Sequence, residues 1–156
     1  MPHEYGAARN LMGVTREVLF SAAAEIDDDE FWREFRRRVK AIDPDAYIVA
    51  EIWHEDHRWL QGDQFDAYMN YPFMQATVSF CAGGHLDRRV VGQQGDLART
   101  VRPIDGHTFA GWLGHALSCY DPAINAVQLN LLGSHDTPRL RTMCGGDLAA
   151  VRLATL

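Results

Sequence analysis

Two groups of residues in this chain have the types and positions that acid–base chemistry requires. Glu51 directly follows the apolar run "YIVA", and His135-Asp136 closes a second run, "AVQLNLLGS". In a parallel α/β protein, functional side chains gather at the carboxyl ends of the strands, so we expect these groups to meet. Such carboxylates suit glycosidic bond cleavage: a protonated acid donates to the leaving oxygen, and an ionised partner attacks or stabilises the cationic sugar.

Trp53 adds an aromatic surface two residues after Glu51. It would limit water around the acid and offer a face on which a sugar ring can stack. Simpler interpretations exist for both acids: Glu51 could pair with an arginine at a strand end, and Asp136 could be the N-cap of a helix at "TPRL". Spacing alone also leaves an unrelated hydrolase open, although the sequence has no G-x-S-x-G nucleophile elbow.

A helix and a strand must place Glu51. The segment "DDDEFWREFRRRVKAI" predicts a helix with Asp27 as N-cap and Glu30 completing a capping box, ended at Asp43 by the following proline. Its expected apolar stripe consists of Phe31, Phe35 and Val39. The run "YIVAEIW" is continuous and rich in β-branched residues, which is typical of a parallel strand buried on both faces.

Further predicted strands and helices alternate along the rest of the chain. The segments "FDAYMN" and "AVQLNLLGSHD" predict two more strands, and "DGHTFAGWLGHALSCY" and "GDLAAVRLATL" predict helices. The stretch from 75 to 104 has no clear pattern, and we expect Trp112 to be buried in its helix. Alternating strands and helices predict a parallel α/β fold.

The composition of the chain limits the kinds of partner that it can bind. The 156 residues are 47% hydrophobic and 23% charged, with a net charge of −6, which argues against binding to nucleic acid or anionic membranes. We predict no membrane-spanning segment, because no apolar run approaches the ~20 residues that a span needs. The three cysteines predict free thiols in a reducing compartment, hence a cytoplasmic location. "HEDH" (54–57) lacks a helix and a third ligand, so we predict a surface loop, no metal site and no cofactor.

Two long motifs resemble the α-amylase superfamily of glycoside hydrolases. "AEIWHEDHRWLQGDQFDAYMNYPF" and "NLLGSHDTPRLRT" are most similar to its neopullulanase, cyclomaltodextrinase and maltogenic amylase branch. The resemblance, from about Ile26 onward, implies a (β/α) barrel. It also implies that Glu51 is the general acid/base, that Asp136 stabilises the transition state, and that His135 and Trp53 contact the substrate.

The family's nucleophile segment has no match. Its aspartate would fall at Ser21 and its companion arginine at Leu19, in "VLFSAAAEI". We therefore expect an incomplete TIM-type barrel covering roughly strands five to seven with their helices, at most a remnant of the fourth strand, and two regions: an unmatched segment, 1–26, and a partial catalytic domain, 27–156. A complete barrel takes ~250 residues, so a gene fragment or incomplete reading frame is the expected origin.

The expected function is that of a partial glycosidase. The resemblance implies a parent enzyme that cleaves α-glucosidic bonds in malto-oligosaccharides, cyclodextrins or pullulan with retention. Without the nucleophile segment, we expect little or no activity from this chain alone. The alternative is a non-catalytic carbohydrate-binding or interaction remnant that associates with a complementary chain.

Overall fold

The computed structural model describes the backbone of residues 17–20 and all of residues 26–156. Within these residues, strands β1 to β3 span Glu17–Phe20, Tyr47–Ala50 and Ala67–Tyr68. The α-helices, α1 to α8, span Asp29–Ile42, Tyr71–Ala82, Arg88–Val91, Gly95–Thr100, Gly106–Ala116, Pro122–Asn125, Leu140–Met143 and Leu148–Ala154. Short 3-10 helices cover Arg58–Leu60 and Gly83–His85.

The strands form one parallel sheet in the order β1-β2-β3. Phe20 of β1 pairs with Ala50 of β2, and Ala50 pairs in turn with Tyr68 of β3. The predicted strands at "YIVAEIW" and "FDAYMN" are confirmed, although both are shorter than their apolar runs. Since all three strands run in one direction, their carboxyl ends share one edge of the sheet, and Glu51 directly follows β2 there.

The third predicted strand, "AVQLNLLGSHD", is wrong as a strand. This segment lies beside β3 but makes only one parallel bridge, between Met69 and Leu129. The backbone of Leu129 donates to Tyr68 O and accepts from Asn70 N. The backbone N–H of Tyr68 donates to the side-chain oxygen of Gln128 at 2.9 Å. This N–H is therefore not available to a backbone carbonyl of the Leu129 segment, and the ladder does not extend.

Helix α1 begins one residue later than predicted. Asp28, not Asp27, is the N-cap, and its carboxylate accepts from Phe31 N at 3.0 Å. The helix ends as predicted, with Asp43 as C-cap. The expected stripe is shifted as well: Trp32 is the buried anchor at 3% exposure, whereas Phe31 is 46% exposed.

Asp66 fastens α1 to the sheet just before β3. It accepts from Ile48 N at 2.8 Å and pairs with Arg36 at 2.8 Å and with Lys40 at 3.1 Å. Burial would raise the pKa of this carboxyl, but the backbone hydrogen bond and the two cations outweigh burial and hold the pKa below its usual value. The ionised form of Asp66 therefore stabilises the fold.

Two apolar clusters form the core. One packs α1 against the sheet and the loop after β2: Trp32, Ile48, Ala50, Ile52, Trp59, Leu60, Phe65 and Tyr68. The other surrounds α2. It includes residues of the stretch from 75 to 104, which had no clear sequence pattern and is largely helical. Its members include Met74, Val78, Val91, Leu97, Met143 and Ala150. The predicted helices at α5 and α8 are confirmed, but Trp112 is only partly buried, with Arg102 stacked on its ring at 5.1 Å. Within the described part of the chain, no helix has the length and apolar character that crossing a membrane requires.

Candidate active site

Glu51 lies buried at the carboxyl end of β2, with 6% of its surface exposed. A carboxylate in such a place is costly unless polar groups compensate it. The hydroxyl of Tyr71 donates to Glu51 Oε1 at 2.7 Å. This hydrogen bond gives the acid a fixed, buried partner, and that partner is a phenol rather than the arginine of the simpler interpretation.

Tyr71 is the first residue of α2 and is fully buried. Its hydroxyl also lies 3.0 Å from Ser134 Oγ. Burial above all raises the pKa of Tyr71 above its usual value, as does the neighbouring Glu51, while Ser134 lowers it. The phenol therefore stays protonated near neutral pH. Because it has a single proton, it donates to one of its two partners at a time.

His135 and Asp136 come to the same place on a turn after the Leu129 segment. One ligand-type atom from each of Glu51, His135 and Asp136 can be chosen so that all three lie within 4.8 Å of one another. Whereas Glu51 is buried, the other two residues are exposed. The structure thus brings together the acids that the sequence predicted to meet.

The turn itself is held by local hydrogen bonds. Ser134 N donates to Thr137 Oγ1 at 2.7 Å, and Asp136 N donates to Ser134 Oγ at 3.2 Å. Asp136 is not a helix N-cap, because α7 begins only at Leu140, after Arg139. Its side chain is exposed, and its Oδ1 lies 3.4 Å from His135 Nε2.

Trp53 is stacked on Tyr71. The two ring centroids are 3.7 Å apart, and the rings are nearly parallel, at 4°. The indole is partly buried against the α2 cluster. The tyrosine thus fixes the orientation of the tryptophan that the resemblance places near substrate, while its hydroxyl contacts the acid.

Tyr71 and Ser134 are the site residues that sequence reasoning missed. Tyr71 packs in the core, and its hydroxyl also contacts Glu51. The available signal was a phenol immediately after the carboxyl end of a strand. Asn70, the residue before α2, caps this helix by accepting from Phe73 N at 3.2 Å, and it donates to Asn130 at 2.8 Å.

The expected nucleophile position, Ser21, lies outside the described residues. Leu19 lies in β1 with its backbone paired to Val49 of β2. Among the described residues, Glu51, His135 and Asp136 could offer ligands to a cation, and so could Glu55, His115 and Cys119. The first set is the cluster at the strand ends, and the second lies in the loop after β2 and at the end of α5.

Parallel strands, intervening helices and carboxylates at one strand edge define a parallel α/β domain with an acidic site. The model of the alpha-amylase catalytic domain matches residues 18–156. The chain therefore belongs to the α-amylase catalytic-domain family, whose fold is a (β/α) barrel.

Named relatives agree with this assignment. The chain is 46% identical over 129 residues to a cyclomaltodextrinase of Geobacillus thermopakistaniensis (strain MAS1), and 43% identical over 129 residues to neopullulanase 2 of Thermoactinomyces vulgaris. Each match covers 83% of this chain and 19% of the relative, so the chain spans about a fifth of their length. The solved Nostoc punctiforme debranching enzyme superposes with a TM-score of 0.81 at 40% identity, covering 90% of this chain and 28% of that one.

Proposed function

We propose that this chain carries the acid/base side of a retaining α-glucoside hydrolase site, on strands five to seven of the barrel. In this assignment β2 and β3 are the fifth and sixth strands, the Leu129 segment, with its single bridge, stands at the position of the seventh, and β1 is a remnant of the fourth. The order β1-β2-β3 and the Met69–Leu129 bridge support it, because sequential neighbours in one parallel sheet are what a barrel wall requires.

Each residue has a proposed role. Glu51 protonates the leaving glycosidic oxygen, and its burial beside Tyr71 limits its exchange with water. Asp136 stabilises the cationic transition state, and His135 binds the same sugar through its hydroxyls. Trp53, with its orientation fixed by Tyr71, provides an apolar surface for a sugar ring.

The isolated chain is proposed to turn over little or no substrate. Counting back from the motif that resembles the family puts Ser21 where a retaining enzyme needs a carboxylate nucleophile. A serine hydroxyl without a nearby base is a poor nucleophile for this step. The division into residues 1–26 and a partial catalytic domain, 27–156, rests on the same mismatch.

The substrate class rests on the relatives. Their names include cyclomaltodextrinase, maltogenic α-amylase and neopullulanase, so we assign α-glucan oligosaccharides, cyclodextrins and pullulan to the whole enzyme. The three free cysteines favour a cytoplasmic location. One observation carries the proposal: the buried acid Glu51 and the exposed pair His135-Asp136 converge at one strand edge.

Calorimetric titration of the chain with maltotriose, beside a reducing-sugar assay, tests the proposal. We expect binding that weakens about tenfold on Asp136→Ala, a loss of about 1.4 kcal/mol, while hydrolysis stays at background. Glu30→Gln, on the exposed start of α1, is the control and should bind like the wild type. Absence of binding would contradict the proposal. Hydrolysis by the wild type that Glu51→Gln abolishes would contradict only the proposed inactivity of the isolated chain.

The second candidate is a non-catalytic carbohydrate-binding or interaction remnant that pairs with a complementary chain. Among the described residues, β1 stands at one end of the sheet order, which supports this candidate because an edge strand can accept another strand. Light scattering with and without maltotriose separates the two. Sugar binding confined to an oligomer favours the remnant, and sugar binding by a monomer favours the first proposal.

A further inference from the structure

The motif "HEDH" (54–57) lies in the loop after β2, and the proposed hydrolase chemistry leaves it unused. The sequence predicts a surface loop there and no metal site, because the motif lacks a helix and a third ligand. The fold supplies further ligands, because the end of α5 and the turn after it bring His115 and Cys119 close to this loop. Glu55 Oε2 lies 2.6 Å from His115 Nε2, and Glu55 Oε1 lies 2.8 Å from His57 Nε2.

We propose that Glu55, His115 and Cys119 form a binding site for a divalent cation of the zinc class. One donor atom from each of the three residues lies within 4.8 Å of the others. These donors come from two segments separated by about sixty residues: Glu55 lies in the loop after β2, His115 lies at the end of α5, and Cys119 lies in the turn that follows α5.

The donor set suits zinc rather than calcium or magnesium. Thiolate and imidazole are ligands of zinc and its transition-metal neighbours, whereas calcium and magnesium require mainly oxygen. A thiolate and a carboxylate also balance the charge of a divalent ion. Bonds of about 2.0 Å to nitrogen and oxygen place those atoms roughly 3.3 Å apart in a tetrahedral site. The Glu55 Oε2–His115 Nε2 distance, 2.6 Å, therefore needs to lengthen by only roughly 0.7 Å to admit the ion.

Contacts beside the ligands hold the two segments together. Asp56, between Glu55 and His57, donates its backbone N–H to the hydroxyl of Tyr120 at 3.2 Å. The ring of Tyr120, next to Cys119, lies 4.8 Å from the imidazole of His57. Cys119 N donates to His115 O at 2.8 Å, which fixes the spacing of the two ligands from this segment. The cluster is thus preorganised, and its exposed glutamate and histidine leave it open to an incoming ion.

Titration of the untagged chain with cobalt(II), followed by competition with zinc, tests the site. We expect one bound ion per chain, a thiolate-to-cobalt charge-transfer absorption, and displacement of cobalt by zinc. Cys119→Ser should abolish the charge-transfer band, and His115→Gln should weaken binding more than about tenfold. The matched controls are Cys81→Ser, a partly buried free cysteine elsewhere, and His107→Gln, an exposed histidine of the same helix.

His135→Gln separates this site from the cluster around Glu51. Retained cobalt binding in that variant supports the proposal, whereas loss in that variant alone would place the ion at the strand-end cluster and overturn it. Absence of a charge-transfer band in the wild type, or its persistence in Cys119→Ser, would also overturn it. Circular dichroism of each variant checks that it folds.

Discussion

The hydroxyl of Tyr71 donates a 2.7 Å hydrogen bond to Oε1 of Glu51, joining the first turn of α2 to the end of β2. The same tyrosine ring is stacked on Trp53. One side chain therefore holds both the proposed acid and the proposed sugar-binding surface. The first prediction concerns this hydroxyl.

Tyr71→Phe keeps the ring and removes the donor. A buried carboxylate deprived of its hydrogen bond should lower the free energy of unfolding by about 1–3 kcal/mol. Urea denaturation measures this loss, and a double-mutant cycle with Glu51→Leu, which removes the acceptor, separates the direct interaction from general damage. If the two substitutions are strictly additive, the hydroxyl does not act through Glu51.

His135→Ala and Asp136→Ala should affect binding but not folding. Both side chains are exposed, and substitutions at such positions usually change stability by less than about 0.5 kcal/mol. Maltotriose affinity should nevertheless fall about tenfold in each, that is by about 1.4 kcal/mol. Calorimetry and urea denaturation give the two quantities, with His107→Ala as an exposed-histidine control. A fall in stability with unchanged affinity would assign these residues to structure alone.

Asp66→Asn should destabilise the chain by about 2 kcal/mol at neutral pH, because it removes a charge-assisted anchor of α1. The folded-state pKa of Asp66 is lowered, so its contribution is complete above the unfolded pKa of about 3.9 and is lost as pH falls through the lower folded value. Urea denaturation from pH 7 to 2 should therefore show a shallower acid loss in the variant than in the wild type. Parallel curves would contradict this account. Glu30→Gln serves as the control.

Sequence patterns predicted the parts of the fold that local chemistry decides. The helix ending at Asp43 and the strand before Glu51 depend on proline, capping and apolar runs within a few residues. The Leu129 strand was wrong because the Gln128 side chain, not the backbone, accepts from Tyr68 N. That substitution of one acceptor for another has no sequence signature.

Contacts between distant segments explain what the sequence did not reveal at the site. The meeting of Glu51 with His135 and Asp136 was predictable because parallel strands end at one edge. The Tyr71 hydrogen bond depends on how closely α2 follows β3, and the Glu55–His115 contact depends on where α5 ends. Neither spacing follows from local periodicity.

The central claim is that Glu51, Trp53 and the His135-Asp136 turn form one sugar site. The most direct test is a maltotriose titration of the four tryptophan indole N–H signals by nitrogen-15 NMR. Substitution of each tryptophan by phenylalanine assigns the signals. We predict that the Trp53 signal shifts with saturation, that Asp136→Ala weakens this response, and that the Trp112 signal stays unchanged. A saturable shift at Trp112 with none at Trp53 would contradict the claim.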